Sequence, residues 1–306
     1  MRWLILLSLV SMLYAQSGIA AIDTLSENEW DVATNNKSLT KGLFMAATLP
    51  GGAHYYTGHY VRAGFLTALE LYLISEIFFT QPSLLQKRQD EAKESFTLLD
   101  KTIETIQTQA DKARAISLFN TRDSLLTSVR RADDKIAEID GLVRSQKAWL
   151  IGLHLYGFLD GYGILHNNLY GRSKQKRESW KAALWSIIPG GGQFYNQEWG
   201  KAGLLYMALY GSYVSFHARQ KTVVHYRTRL QTARIEENFS ETNYLEEKLT
   251  FFRKKRNQYI WAPVLFYLYS VGDSMVDALL ADFDSPVHLS INPIPTGGVL
   301  EIAWDF

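Results

Sequence analysis

An internal repeat constrains the fold of this chain more than any other feature of its sequence. Residues 50–66 (PGGAHYYTGHYVRAGFL) align without a gap on residues 189–205 (PGGGQFYNQEWGKAGLL), with seven identities and three conservative pairs in the 17 positions. Self-similarity of this kind indicates one structural unit that occurs twice. We therefore predict two repeat units, at 38–170 and 177–284.

Each unit has the same predicted order of elements. A short apolar helix ends at Pro-Gly-Gly, where proline interrupts the helix and glycine permits a positive φ. An aromatic turn leads into an apolar helix, a polar excursion follows, and a second apolar helix closes the unit, with Asp160 in the first unit opposite Asp273 in the second. The apolar helices are predicted at 63–79, 148–165, 202–216 and 259–280.

The polar excursions are predicted to be projecting helical hairpins, at 84–147 in the first unit and, shorter, at 217–258 in the second. Apolar residues of the first excursion recur at intervals of three and four, which is the spacing of a narrow helical seam. Polar residues at 120–123 supply turn and cap chemistry, so the first hairpin is predicted to turn there. The second is predicted to break near 236–243.

The two ends of the chain are predicted to lie outside the repeat. Residues 1–20 are typical of a secretory signal peptide, with Arg2 before an apolar stretch and small residues for cleavage, and a polar arm follows at 21–37. Residues 285–306 alternate apolar and polar on both sides of a Pro- and Gly-rich turn, which is typical of a β-hairpin. The predicted fold class is mainly α: a tandem repeat of membrane-associated apolar helix pairs with projecting helical hairpins and a short C-terminal β-hairpin.

Composition and motifs exclude several classes of function. The formal net charge is +1, which leaves no electrostatic footprint for nucleic acid, and the chain has no cysteine for a disulfide, a thiolate metal site or a nucleophile. The Pro-Gly-Gly turns follow no predicted strand and precede no Gly-Lys-Ser/Thr, which argues against a phosphate loop. We recognise no catalytic triad and no metal-ligand spacing. The sequence therefore predicts no enzyme activity, no cofactor and no metal site.

Insertion of the apolar helices into a bilayer requires that they pack together. A membrane span needs about 20 mainly apolar residues. Residues 63–80 approach this length, but Glu70 and Glu76 cost about 5–7 kcal/mol, whereas the Leu, Ile and Phe residues gain only about 3–5 kcal/mol. We predict insertion with neighbours that shelter these acids; a soluble helical protein with unusually apolar packing faces is the alternative. Basic runs in the second excursion and in the inter-repeat linker leave the orientation open.

Two stretches give the sequence a family resemblance. The run PGGGQFYN at 189–196, followed by an aromatic and a lysine, and the closing run DSMVDALLADFD at 273–284 resemble, in that order, the bacterial envelope family known as domain-of-unknown-function family 5683. The resemblance covers 177–306 and implies a membrane-associated protein without an established activity. The first unit departs from the pattern at three positions, where its residues and their counterparts are His54 and Gln193, Thr57 and Asn196, and Ile164 and Asp277.

Two sets of residues are candidates for a structural or functional site. The first set is predicted to bring backbone close to backbone in the turns, where Gln193 and Asn196 hydrogen-bond the turn amides: Pro50, Gly51, Gly52, Tyr56, Pro189, Gly190, Gly191, Gln193, Tyr195 and Asn196. Ionisable residues at membrane depth indicate function by default. We favour a structural role in which Asp160 and Asp273 cap turn amides, with ion or proton handling as the alternative. This second set of intramembrane carboxylates comprises Glu70, Glu76, Asp160, Asp273 and Asp277.

These observations predict a non-enzymatic structural or protein-interaction component of the bacterial cell envelope. The lipid bilayer is the first expected partner. An envelope protein that docks on the helical hairpins or the β tail is the second. A small transporter or channel-like protein that uses the intramembrane carboxylates is the alternative function, and the choice between the inner and the outer membrane stays open.

Overall fold

The computed structural model describes residues 38–108, 112–170, 177–280, 288–294 and 297–303, with side chains for 38–108, 116–170 and 177–280. The predicted signal peptide, the polar arm and the last residues of the closing run lie outside this part of the chain. The described helices are α1 (Leu39–Thr48), α2 (Gly52–Thr57), α3 (Tyr60–Ser75), α4 (Gln81–Thr108), α5 (Lys112–Tyr170), α6 (Ser179–Trp185), α7 (Gly191–Tyr195), α8 (Trp199–Ile235) and α9 (Phe239–Leu280).

Each predicted apolar helix is continuous with a polar helical stretch. Helices α3 and α4 join through a π-helical turn at Glu76–Thr80 and form one helix from Tyr60 to Thr108. Helix α5 has 59 residues and is therefore about 90 Å long. Helices α8 and α9 have 37 and 42 residues. Each long helix therefore has an apolar half, which carries the short helices α1, α2, α6 and α7, and a polar half that we call the arm.

The long helices pack side by side as antiparallel neighbours. Helix α5 lies between α4 and α8, and α8 lies between α5 and α9. Small residues let α5 and α8 approach closely in the apolar half: a Cβ atom on Gly211 would lie 2.8 Å from the ring of Trp149, and one on Gly152 would lie 3.0 Å from Met207. Close approach through glycine is the way in which helices associate in membranes.

Separate apolar clusters hold the two halves. In the apolar half, residues of α3, α5 and α8 form one cluster: Leu66, Leu73, Ile77, Leu153, Tyr156 and Met207. In the arm, residues of α8 and α9 form another: Val223, Tyr226, Leu230, Ala233, Leu245, Leu249 and Phe252.

The first helical hairpin turns at a different place from the predicted one. Helix α4 ends at Thr108 and α5 begins at Lys112, so residues 120–123 lie inside α5. The Thr121 hydroxyl donates to the Ser117 carbonyl, and Arg122 donates to the Asp123 carboxylate, so these polar side chains are accommodated within the helix. In the second excursion, α8 ends at Ile235 and α9 begins at Phe239, inside the predicted break.

The predicted fold class is corrected in its strands and in its membrane helices. The fold is mainly α, but the C-terminal β-hairpin is not supported as a component of it. Strands β1 (His288–Ile294) and β2 (Gly297–Ala303) pair antiparallel with each other and form no sheet with another described element. Two isolated strands are at best marginally stable, so the packed fold is helical.

Membrane association of the four predicted apolar helices is only weakly supported. Within the described residues, one helix, Tyr60–Thr108, is long and apolar enough to cross a bilayer, and the core helix of a soluble protein can have the same length and composition. Only 28% of its most apolar stretch is buried inside the protein, however, whereas a core helix is mostly buried. In the apolar halves of α5, α8 and α9, glycine, tyrosine, histidine and acidic residues dilute the apolar character.

Candidate functional site

Both Pro-Gly-Gly turns lie alongside the apolar halves of the long helices. Helix α1 runs along α5 until the carbonyl of Ala47 lies 3.2 Å from Nε2 of His154. The chain then turns, and α2 returns along α5, where Gly161 faces Ala53 closely. The turn therefore lies beside α5 within the apolar half, near His154.

A glycine in the left-handed region forms each turn. Gly51 has a φ of +63° and Gly190 a φ of +79°. A Cβ atom on Gly51 would lie 2.8 Å from the carbonyl oxygen of Ala63, whereas one on Gly190 would meet the ring of Tyr206 at 3.1 Å. The backbone of the first turn therefore approaches the backbone of α3, whereas that of the second turn approaches a side chain.

After each turn, a tyrosine hydroxyl contacts the backbone at the start of the short helix that precedes the turn. The hydroxyl of Tyr56 accepts a hydrogen bond from the backbone N–H of Ser38, at 2.8 Å, at the start of α1. The hydroxyl of Tyr195 accepts one from the N–H of Glu178, at 3.3 Å, at the start of α6. The two tyrosines occupy matched positions of the sequence repeat, and they make the same contact.

Gln193 and Asn196 join the second turn to α9. The side-chain amide of Gln193 donates to the carbonyl and the hydroxyl of Ser270, at 2.7 and 2.9 Å, and that of Asn196 donates to the carbonyl of Ser274, at 2.6 Å. All of these groups are buried. The prediction that these amides bond to the turn itself is therefore wrong: they bond to the backbone of a neighbouring helix, because α7 lies directly against α9.

An ammonium group lies between two carboxylates near the same contact. Nζ of Lys201, in the first turn of α8, lies 3.0 Å from Asp273 and 2.8 Å from Asp277 on α9. Asp273 thus contacts an ammonium and not the turn amides. Sequence reasoning missed Lys201 as a site residue, although the repeat aligns it with Arg62.

In the first unit, a histidine and an arginine contact the matched carboxylate. Nε2 of His54 lies 2.9 Å from Oδ2 of Asp160, and Nη1 of Arg62 lies 3.5 Å from the same oxygen. His54 is fully buried and occupies the position of Gln193. Arg62 and Asp160 therefore form the contact that Lys201 and Asp273 form at the aligned positions, whereas His54 and Gln193 reach different positions of the closing helix.

The two acids of the predicted apolar helix at 63–79 each contact polar groups. Oε2 of Glu70 lies 3.0 Å from Nδ1 of His154 on α5. Oε2 of Glu76 accepts hydrogen bonds from the side-chain amides of Gln81, at 2.9 Å, and Gln146, at 3.5 Å. The sequence pattern gave no sign of His154 as a partner, because its spacing from Glu70 is non-local.

Large apolar side chains cover the outer surface of the same half. Tyr72 on α3 is 51% exposed and Leu265 on α9 is 64% exposed. A contiguous exposed apolar surface marks an interface with protein or lipid. Further exposed residues of this surface are Phe78, Phe79, Ile151, Trp180, Trp185, Ile187, Ile188, Tyr213, Trp261, Leu268, Tyr269 and Leu279.

Ion pairs hold the arm together around a buried carboxylate. Oδ1 of Asp134 on α5 accepts from Nε2 of His225 at 2.9 Å and from Nη1 of Arg229 at 2.8 Å, and Asp134 is fully buried. Arg229 also pairs with Glu241, to which Arg130 donates at 2.8 Å. Burial alone would raise the pKa of Glu241, but the hydrogen bonds from the two arginines outweigh it and lower this pKa.

A second carboxylate joins all three helices of the arm. Glu138 on α5 accepts hydrogen bonds from the hydroxyl of Tyr226 on α8, at 2.6 Å, and from Nζ of Lys248 on α9, at 3.0 Å. Burial acts to raise the pKa of Glu138, but these hydrogen bonds lower it overall. Burial, together with the hydrogen bond to Glu138, raises the pKa of Tyr226 far above its ordinary value. The residues of these networks are missing from the sequence-based candidates because charges at helical spacing are usually solvated.

Fold and site together define a helical protein with an apolar half, inward-facing polar pairs and a charged arm. Residues 175–299 match the model of a family of unknown function (DUF5683), which confirms the resemblance inferred from the sequence. The match spans the two stretches that carry the resemblance, and these stretches meet in space where Asn196 contacts Ser274 and Lys201 contacts Asp273. No curated protein and no solved structure matches the chain. Within the described residues, no group of three or more acidic, histidine or cysteine side chains could hold a metal ion.

Proposed function

We propose that this protein is a bacterial cell-envelope component whose apolar half lies in a lipid bilayer and whose arm projects from it as a structural or protein-interaction surface. The observation that carries the proposal is the direction of the side chains in the apolar half. Large apolar residues such as Leu265 point outward, and the acids pair inward, as Glu70 does with His154. Water favours the opposite arrangement, and lipid favours this one.

The dimensions of the apolar half support the same proposal. From Tyr60 to Thr80 the helix has about 21 residues and spans about 30 Å, the thickness of the hydrocarbon core. The neighbouring helices change from apolar to polar side chains at the same level. There, Gln146 of α5 contacts Glu76, and Ser145 of α5 contacts Ser215 of α8. These contacts support one boundary at a common level on α3, α5 and α8 for the apolar half, which we call the slab.

The arm supports an interaction role. It extends from the slab on long helices, and the ion pairs of Asp134, Glu138 and Glu241 hold α5, α8 and α9 together. A rigid, charged projection of this kind can present a docking surface at a fixed distance from the membrane. Ile103 and Phe119 are apolar side chains that the arm exposes to solvent.

Fractionation and crosslinking test the proposal in cells. The tagged full chain should stay in the membrane pellet after an alkaline carbonate wash and leave it only in detergent. A photo-crosslinking residue at Ile103 or Phe119 should give a discrete protein adduct, whereas one at Tyr72 should give lipid adducts. Recovery of the chain in the carbonate supernatant would overturn the membrane part, and the absence of protein adducts at both arm positions would overturn the interaction part.

One observation favours the transporter alternative. Oε1 of Glu70 is buried in the apolar half without a hydrogen-bond partner in the described part of the chain. An unpartnered carboxylate oxygen at that depth could exchange a proton. Proton flux into liposomes that contain the purified chain, lost in Glu70→Gln and retained in Glu94→Gln on the arm, would replace the structural proposal with transport.

A further inference from the structure

Arg219, at the base of the arm on α8, is a buried cation without an acidic partner. Its residue is 7% exposed, and its Nε atom is buried without a hydrogen-bond partner. Among the described side chains, no carboxylate forms an ion pair with it. Its guanidinium carbon lies 5.8 Å from the centre of the Phe252 ring. A cation–π contact of this kind is weaker than the cost of burying an unpaired charge.

Lys255 adds a second cation to the same place. Its Nζ atom lies 4.4 Å from the centre of the Phe251 ring, and the residue is half-buried on α9. Burial, and then the positive charge of Arg219, lower the pKa of Lys255. The charge of Glu138 acts in the opposite direction, but the carboxylate of Glu138 already accepts hydrogen bonds from other residues. The two cations therefore repel each other, and neither forms an ion pair within the described part of the chain.

Arg256 extends this positive charge along the seam between α8 and α9. Its Nη1 atom donates to Oε1 of Gln220, the residue after Arg219 on α8, at 3.0 Å, and its Nε and Nη2 atoms donate to Oδ1 of Asn257. Arg253 and Lys254 are exposed on the next face of α9, and neither forms an ion pair within the described residues. We call Arg219, Lys255 and Arg256 the basic cluster.

The basic cluster lies where the apolar half ends. Arg219 follows Ser215, which contacts α5 at the boundary of the slab, by one helical turn. Trp261, which is exposed on the apolar side of α9, follows Lys255 by six residues, or about 9 Å. In a bilayer that contains the apolar half, this level is that of the lipid headgroups.

We propose that the basic cluster binds the phosphate of an anionic lipid headgroup; the lipid source rests on the proposed membrane function. Arginine guanidinium groups match phosphate oxygens in a bidentate manner, and lysine binds them as a point charge. A phosphate at this place supplies the counter-ion that Arg219 and Lys255 lack. The basic cluster then selects for anionic lipids at one face of the membrane.

Lipid retention in nanodiscs tests the site on the full chain. The chain is reconstituted in discs of phosphatidylcholine alone, or of phosphatidylcholine mixed with phosphatidylglycerol, and retained lipid is counted by native mass spectrometry. Wild type should retain phosphatidylglycerol preferentially. Arg219→Gln should weaken this retention roughly tenfold, the effect of one lost charge-assisted contact, and Lys255→Gln provides a second, half-buried variant in case Arg219→Gln fails to fold. Arg227→Gln, which removes an exposed cation of the same helix, should match wild type.

The outcomes separate the site from the membrane proposal. Equal phosphatidylglycerol retention by wild type, Lys255→Gln and Arg227→Gln would overturn the site. Inorganic phosphate that stabilises the chain in phosphatidylcholine discs as strongly as phosphatidylglycerol does would overturn the lipid as the source of the phosphate. A chain that elutes apart from the discs overturns the membrane proposal instead. If inorganic phosphate stabilises that soluble chain and Arg219→Gln abolishes the effect, an anion site is still supported. If phosphate does not stabilise the soluble chain, the anion site is overturned as well.

Discussion

Replacement of Lys201 by methionine tests the contact that joins the two family-like stretches. The ammonium lies 3.0 Å from Asp273 and 2.8 Å from Asp277; its side chain is 29% exposed and theirs are each 19% exposed. Without it, two partly buried carboxylates face each other with no counter-ion. Removal of one partner from a buried pair costs about 3–5 kcal/mol, and the partial exposure reduces this to about 2–3 kcal/mol. Lys201→Arg keeps the charge and should cost less than about 1 kcal/mol.

Unfolding in detergent, followed by circular dichroism, measures this loss. Lys221→Met is the matched control, because Lys221 is an exposed lysine of the same helix without an ion pair among the described residues. If the cost comes from uncompensated charge, the addition of Asp273→Asn and Asp277→Asn to Lys201→Met should restore most of the stability. A Lys201→Met protein as stable as Lys221→Met, or a triple variant as unstable as Lys201→Met alone, would refute this reasoning.

Three further perturbations have defined outcomes. Gly51→Ala should lower the melting temperature more than Gly190→Ala does, since both lose about 1–2 kcal/mol in the left-handed region but only Gly51 faces backbone; the reverse order would contradict the turn geometry. Tyr226→Phe should destabilise the arm by about 1.5–3 kcal/mol, because it removes a hydrogen bond to the Glu138 carboxylate, and a denaturant titration that shows no loss would contradict this role. The arm should lose stability as the pH falls below 4.5, the ordinary glutamate pKa. Because the pKa values of Glu138 and Glu241 are lowered in the folded protein, their ionised carboxylates stabilise the arm above this pH, and protonation at lower pH removes that contribution. Thermal melts at several pH values should show this dependence weakened in Glu241→Gln.

The sequence predicted the helical fold and the turns because these depend on local pattern. Apolar spacing identified the long helices, and Pro-Gly-Gly located both turns, where Gly51 and Gly190 adopt the left-handed conformation. The position of the first hairpin turn was wrong, because polar residues at 120–123 are satisfied inside a helix as well as in a turn. The C-terminal alternation predicts a hairpin, but periodicity alone does not show whether its strands have a sheet to join.

The partners of the site residues could not be read from the sequence. Gln193 bonds to the backbone of Ser270, and that contact depends on how α7 lies against α9. His154 meets Glu70 from a different helix. The repeat aligns Lys201 with Arg62, and this alignment could have indicated Lys201 as a site residue. That each cation contacts the aligned aspartate, Asp273 or Asp160, follows only from the three-dimensional packing.

Depth measurements with single spin labels test the membrane embedding most directly. The chain has no cysteine, so single-cysteine variants carry a label at one chosen place. In liposomes, labels at Tyr72 and Leu265 should be accessible to oxygen and protected from a water-soluble nickel chelate, whereas a label at Phe119 should show the reverse. Nickel accessibility at all three positions would contradict the account.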